Sequence, residues 1–132
     1  MVSKKFVKKK TIKLKKLGES LIPELAQTAA KKPSQFSENF SPVFLKSGNG
    51  VIVTDFEGNK LLDTIMGIGP IILGYNHPNT NQAIKNQLKK GIIFSLINPL
   101  EIELAAKLKK ILPNMDMFRF SKTGADSTSA AI

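Results

Sequence analysis

The sequence of 132 residues contains no cysteine, which excludes disulfide bridges and thiolate metal sites within it. It also has no apolar run near the roughly 20 residues that a membrane-spanning helix needs. The lysine-rich N-terminus is not followed by the apolar stretch of a secretory signal. His77 is the only histidine, and the neighbouring sequence offers it no partner for a metal site or a catalytic dyad. We therefore expect a cytoplasmic protein without a bound metal.

Positive charge is concentrated in the first quarter of the chain. The net charge is +10, and residues 1–32 hold ten lysines against Glu19 and Glu24. Residues 1–17 predict a basic, solvated arm. Such an arm could bind nucleic acid or an anionic membrane, so the alternative function is a non-enzymatic basic binding module. Because the arm has no arginine and only Phe6 could stack on a base, we expect neither nucleic acid nor a membrane as a partner.

The first half of the chain then combines one helical pattern with three β patterns. Residues 18–32 predict a short helix that is broken near Pro33. Short apolar segments at residues 43–45, 51–54 and 60–63 are separated by Gly-Asn turns, which predicts an antiparallel meander. The glycine-rich residues 64–78 predict a tightly packed loop.

The second half predicts helices separated by short extended segments. Residues 79–90 form the first helical pattern, with Asn79 or Thr80 as a cap and Gly91 as the stop. Pro99 begins a second helix that runs to about Leu112. Residues 92–96 predict a short extended piece, and residues 115–120 predict a strand that leads directly into a Thr-Gly turn.

The turn at Thr123-Gly124 is the strongest candidate site. Backbone N–H groups at a helix start lack internal partners and carry partial positive charge, so they can hold a phosphate. Thr123 and Asp126 also fit a capping pattern, which many helices have without a ligand. The turn matches neither the Walker motif nor the dinucleotide fingerprint. Lys122 beside it is expected to be exposed, which argues against a Schiff-base lysine at this position.

Eight segments in register resemble the N-terminal part of class III aminotransferases, and in particular the glutamate-1-semialdehyde 2,1-aminomutase-like branch. The similarity covers roughly residues 20–132. The segments that carry it are Gly48-Asn-Gly50, Asp55-Phe-Glu-Gly-Asn59, Leu61-Leu-Asp63, Gly67-Ile-Gly-Pro70, Leu73-Gly-Tyr-Asn-His-Pro78, Phe94-Ser-Leu96, Pro99-Leu-Glu-Ile-Glu-Leu-Ala105 and Arg119-Phe120, followed by Lys122-Thr-Gly-Ala-Asp-Ser-Thr-Ser-Ala-Ala131.

This resemblance implies an α/β protein, the N-terminal part of a fold-type-I enzyme that uses pyridoxal 5′-phosphate (PLP) and works as a homodimer on an amino or keto substrate. Residues 1–17 would be the arm, and residues 18–113 would form the small-domain and dimer-contact segment with its β-meander and helices. Residues 114–132 would supply the first strand and the helix start of the large PLP-binding domain.

The resemblance also implies roles for individual residues. Thr123, Gly124 and Ala125 would bind the cofactor phosphate, and Ser41 and Ile68 would contact the substrate. Authentic aminomutases have an arginine where this sequence has Phe44, and an aromatic residue where it has Ile68. Since phenylalanine cannot make a charge-assisted bond to a carboxylate, we expect an aminomutase-like aminotransferase with a substrate other than glutamate-1-semialdehyde.

Members of this family are several times longer than 132 residues. The lysine that binds PLP and the aspartate that pairs with the pyridine nitrogen would then lie beyond residue 132. No catalytic residue can be assigned within the chain, and we expect the 132 residues to be inactive by themselves.

Overall fold

A computed structural model describes residues 8–37 and 40–132. The chain divides into two compact units, Met1–Asn86 and Gln87–Ile132. In chain order, the helices and strands are α1 (Lys9–Leu21), β1 (Leu45–Asn49), β2 (Ile52–Asp55), β3 (Lys60–Leu62), α2 (Pro78–Leu88), α3 (Pro99–Ile111) and α4 (Gly124–Ala131), with single 3₁₀ turns at Pro23–Leu25, Ala29–Lys31 and Pro33–Gln35. None of the described helices has the length and apolar character that crossing a membrane requires.

The helix expected over residues 18–32 is wrong in its position. The helix begins nine residues earlier than expected, at Lys9, and ends at Leu21. Residues 9–17 of the expected solvated arm are therefore helical, and residues 1–7 of that arm lie outside the described residues. Pro23 accounts for the end, because the residue before a proline is driven out of the helical region and Ile22 is extended (φ −130°, ψ 118°).

The antiparallel meander is confirmed, with strand order β1-β2-β3. Its first turn lies later than expected: Asn49 pairs with Ile52, so Gly50 and Val51 form a two-residue loop. Gly50 has a φ of 55° at the first loop position, as a type II′ turn requires. β1 also contains a bulge, because Leu45 pairs with Asp55 whereas Ser47 pairs with Thr54, which leaves one extra residue between them.

The second turn is organised by a buried carboxylate. Asp55 is 1% exposed and accepts hydrogen bonds from the Glu57 amide (3.0 Å), the Asn59 amide (2.7 Å) and the Asn59 side chain (2.7 Å). Glu57 in turn accepts from the amide (3.1 Å) and the hydroxyl (2.6 Å) of Thr11, which is 2% exposed. These contacts fasten α1 to the β2–β3 turn.

The predicted loop and helices of the second half are largely confirmed. Residues 64–77 form turns, followed by α2, but the expected cap is wrong because α2 begins at Pro78 and Asn79 and Thr80 lie within its first turn. α3 has the expected Pro99 start, and Asn98 and Glu101 form a reciprocal capping box. The strand predicted at residues 115–120 pairs with no other strand among the described residues, and the extended piece predicted at residues 92–96 likewise pairs with none. A strand depends on hydrogen bonds from a neighbouring strand, and the described part of Gln87–Ile132 contains none.

The apolar core is very small. Among the described residues, Val53 on the central strand is the only buried hydrophobic side chain, at 4% exposure. Both units expose large apolar side chains, and α3 buries none of its residues. The chain therefore presents far more apolar surface than a self-sufficient domain of this size would leave uncovered.

Candidate functional site

The Thr-Gly turn begins α4 as the sequence predicts. Thr123 is the N-cap, and its hydroxyl oxygen accepts a hydrogen bond from the Asp126 amide (3.1 Å) while the hydroxyl donates to the Asp126 carboxylate (2.7 Å). The Thr123 hydroxyl is therefore engaged within the turn. One of the helix's first amides is satisfied by this cap.

The amides of Gly124 and Ala125 make no hydrogen bond within the described residues. Both residues are exposed, and a methyl group placed on Gly124 would meet nothing within 4 Å. The two amides belong to exposed residues at the positive end of a helix dipole, which suits an anionic phosphate. Asp126 adds a negative charge at the same end and Lys122 a positive one. The backbone fits the phosphate of PLP, whereas the Thr123 hydroxyl would first have to leave Asp126.

A second cluster joins two of the motif segments in the first unit. Tyr75 donates a hydrogen bond to one carboxylate oxygen of Asp63 (2.6 Å), and the other oxygen accepts from the amides of Ile65 (2.8 Å) and Met66 (3.2 Å). The Tyr75 hydrogen bond is the main reason that the pKa of Asp63 lies below its ordinary value, with the two amides adding to the effect and partial burial opposing it. The same bond raises the pKa of Tyr75.

Glycines allow Tyr75 to lie against the first hairpin. Its backbone pairs with Gly50 in both directions, at 2.9 Å and 2.8 Å. A side chain on Gly48 would meet the Tyr75 ring at 2.5 Å, and one on Gly74 would meet the Gly50 backbone at 3.0 Å. The glycines of two separate motifs are therefore explained by close approach of these segments.

The loop after β3 contains four consecutive residues with left-handed backbone angles. The φ values of Met66, Gly67, Ile68 and Gly69 are 49°, 66°, 69° and 100°. A β-branched residue such as Ile68 is a genuine outlier in this region. Non-glycine residues held there cost about 1–3 kcal/mol each, and such strain clusters at functional sites.

The strained loop forms part of the wall of a cavity of about 470 Å³ within the first unit. Ile68 lines it and remains 47% exposed. The other predicted substrate residue, Ser41, lines a different cavity of about 490 Å³. Pro42 and Val43 border both cavities, so the two predicted substrate residues line adjoining cavities.

Phe44 occupies the position at which authentic aminomutases are expected to carry an arginine. Its ring packs edge-to-face against Phe56, with centroids 6.2 Å apart and an interplanar angle of 75°. Its carbonyl also accepts a hydrogen bond from the Phe56 amide (3.0 Å). Phe44 is thus committed to aromatic packing against the β2–β3 turn and provides no cation for a carboxylate.

Sequence reasoning found the Thr-Gly turn but missed the Asp63–Tyr75 bond. The motif segments contained both residues, and Asp63 accepts from the Ile65 and Met66 amides in the turn that follows β3. No pattern along the chain indicates that a tyrosine twelve residues later reaches the other oxygen. Nor do the described residues contain a group of histidine, aspartate and glutamate side chains that could hold a metal ion.

Comparison with known proteins identifies the family. The family model for class III aminotransferases matches residues 34–132, so this chain belongs to the class III aminotransferase family. Over 92 residues it is 39% identical to the glutamate-1-semialdehyde 2,1-aminomutase of Thermus thermophilus. That region is 70% of this chain but only 22% of the relative. The chain therefore spans about a fifth of the length of this curated relative.

Solved structures confirm the expected fold, that of the N-terminal part of a fold-type-I transaminase. An omega-transaminase from Sphaerobacter thermophilus superimposes with a TM-score of 0.81 at 25% identity, over 92% of this chain and 26% of that one. A transaminase with PLP bound gives a TM-score of 0.68 at 27% identity, over 79% of this chain and 23% of that one.

Proposed function

We propose that this chain is the N-terminal part of a PLP-dependent aminotransferase or aminomutase of the cytoplasm and that it supplies part of the cofactor site. The observation that carries the proposal is the open pair of amides at Gly124 and Ala125, within a segment that the class III family model matches. Residues 114–132 would begin the large domain, and residues 18–113 would form the small-domain and dimer-contact segment of a homodimer.

PLP, when bound, acts as an electron sink for bonds at the carbon that carries the substrate amine. In this chain, the amides of Gly124 and Ala125 would hold the cofactor phosphate, and the α4 dipole would favour its negative charge. The negative charge of Asp126 would repel the phosphate and so limit its negative charge, and the positive charge of Lys122 would offset this repulsion. We propose that the reactive lysine lies outside this chain, so the 132 residues alone would not complete a turnover.

The substrate side of the proposal depends on Ser41, Ile68 and Phe44. Ser41 and Ile68 would contact the substrate from the two adjoining cavities. Because Phe44 packs on Phe56 and brings no positive charge, the natural substrate would not depend on a carboxylate partner at this position. An aminotransferase acting on a compound other than glutamate-1-semialdehyde fits this arrangement better than an authentic aminomutase does.

The phosphate site can be tested by removing one amide without breaking the helix. Gly124 is the first helical residue and follows the extended Thr123 (φ −130°, ψ 158°), which is the position where proline is favoured. Gly124→Pro should keep α4 and weaken PLP binding by about tenfold or more, because an amide-to-phosphate bond is charge-assisted. Gly124→Ala keeps the amide and is the matched control. Equal PLP affinity in all three proteins would exclude the turn as the phosphate site.

The lysine can be located in the protein that contains this chain. Borohydride reduction after PLP loading, followed by peptide mass spectrometry, should place the cofactor on a lysine outside residues 1–132. Reduction onto Lys122 or another lysine of this chain would contradict that assignment. If no lysine is labelled in the folded protein, the proposal of PLP chemistry is wrong.

A further inference from the structure

The two ends of the loop between β3 and α2 are joined by a hydrogen bond between the side chains of Asp63 and Tyr75. Asp63, directly after β3, holds the amides of Ile65 and Met66 with one carboxylate oxygen and the Tyr75 hydroxyl with the other. Tyr75 is itself fixed to the hairpin by its two backbone bonds with Gly50 and by ring contact at Gly48. Asp63 therefore connects a rigid hairpin to the start of the left-handed run.

Several backbone bonds of the left-handed residues are local. The amides of Ile68 and Gly69 donate to the Ile65 carbonyl (3.0 and 3.2 Å), and the Ile71 amide donates to the Met66 carbonyl (3.1 Å). The run is connected to more distant parts of the unit through Asp63 and Tyr75, because the Met66 amide donates to Asp63 and the Gly67 backbone hydrogen-bonds to Tyr75. Strained backbone persists only when its surroundings over-determine it, and this pair provides that constraint.

The strain is not explained by packing. Nearly half of the Ile68 surface is exposed, and the residue lines the cavity. Its unusual backbone conformation therefore places the side chain at the cavity wall and does not bury it in the core. An exposed apolar side chain on a strained loop at a cavity wall is suited to contact a ligand.

We propose that Asp63 and Tyr75 are positioning residues for substrate recognition. Their bond fixes the 66–69 loop so that Ile68 faces the cavity. Ile68 then offers an apolar surface to the alkyl or aryl part of an amine. This inference rests on the proposed function, which assigns Ile68 to the substrate side. To the proposed function it adds two points: Asp63 and Tyr75 hold Ile68 in its position, and Ile68 at that position selects an apolar class of substrate.

The test uses methyl NMR of isoleucine-labelled protein titrated with n-hexylamine and with ethylamine. The Ile68 methyl resonance should shift with n-hexylamine and much less with ethylamine. Ile72 is an internal reference, because it lies in the same loop, is 85% exposed and does not line the cavity. Tyr75→Phe removes only the hydroxyl and should raise the apparent dissociation constant for n-hexylamine by about tenfold, the effect of losing a bond to a charged group.

Two further variants separate positioning from stability. Asp63→Asn keeps an oxygen acceptor for the Ile65 and Met66 amides and should weaken n-hexylamine binding less than Asp63→Ala. Each affinity is measured well below the melting temperature of the variant concerned, so that a loss of binding reports loop geometry and not unfolding. Faster amide hydrogen exchange at Met66 and Ile68 in Tyr75→Phe should accompany the loss.

Each outcome decides the proposal. An unchanged dissociation constant in Tyr75→Phe would overturn the positioning role, and equal shifts at Ile68 and Ile72 would overturn the apolar recognition. Neither result requires PLP, so both are distinguishable from failure of the proposed function, which appears as the absence of a labelled lysine. If borohydride reduction labels no lysine, both the proposed function and the assignment of Ile68 to the substrate are wrong, whatever the NMR titration shows.

Discussion

The Tyr75 hydroxyl donates to the Asp63 carboxylate over 2.6 Å, and this bond joins the end of β3 to the residues before α2. It brings together two segments that the sequence shows only as separate motifs. It also perturbs both titrations, since it lowers the pKa of Asp63 and raises that of Tyr75. The bond should therefore affect both the ultraviolet titration of Tyr75 and the pH dependence of the stability of the first unit.

Tyr75 is the only tyrosine, and the sequence has no tryptophan, so its ionisation can be followed without interference. We expect an ultraviolet titration of tyrosinate to give a midpoint above the ordinary value of 10.0, because loss of the phenolic proton also breaks the bond to Asp63. Asp63→Asn should move the midpoint back towards 10.0. A midpoint at or below 10.0 in the folded wild-type protein would show that the bond does not form in solution.

The pair should stabilise the first unit only within a window of pH. The Asp63 contribution is complete above the ordinary pKa of 3.8 and is lost as the pH falls through the lowered folded value. The Tyr75 contribution is complete below 10.0 and is lost as the pH rises through the raised folded value. Urea midpoints of wild type and Tyr75→Phe should therefore differ most near neutrality and converge at both extremes. A difference that is independent of pH would contradict this explanation.

Glycine should be tolerated at Ile68 better than at the neighbouring Ile71. Ile68 has a φ of 69°, whereas Ile71 is absent from the residues with positive φ and is half-buried. Ile68→Gly releases backbone strain of about 1–3 kcal/mol, which offsets part of the lost side chain. We expect Ile71→Gly to lower the free energy of unfolding by at least about 1 kcal/mol more than Ile68→Gly does. The reverse order in chemical denaturation would show that Ile68 is not strained.

Protection against hydrogen exchange should differ between the two units. Val53 and Asp55 of β2 are buried, whereas α3 buries no residue, so the free energy of local opening should be lower in α3. Amides of α3 should therefore exchange faster than those of Val53 and Thr54 in the isolated 132-residue chain. Equal protection in both elements would indicate that α3 is covered, for example by self-association, which sedimentation would detect.

Elements with strong local signals were predictable from sequence. α3 combines Asn98, Pro99 and Glu101 in a capping arrangement that needs no tertiary contact to be recognised. The meander was predictable in order and direction because its glycine turns are local as well. α1 was misplaced because its lysine clusters suggested a solvated arm, although Leu14, Leu17 and Leu21 recur at helical spacing.

The remaining features depend on distant partners. Residues 115–120 have the composition of a strand but find no neighbour in the described structure, and composition alone does not create a ladder. The Asp63–Tyr75 bond and the contact of Tyr75 with Gly48 both cross between motifs. At the candidate phosphate site the helix start was predictable from Thr123 and Asp126, whereas the engagement of the Thr123 hydroxyl became clear only from the atomic arrangement.

The bulge in β1 lies next to a residue of the cavity wall. Paired residues of antiparallel strands face the same side of the sheet, so Leu45 faces the side of Asp55 and Lys46 is the extra residue without a partner. Val43 and Leu45 both line the cavity wall. Deleting Lys46 would give an uninterrupted ladder and leave Leu45 on the side that it already faces, so the cavity wall should tolerate the loss of this one residue.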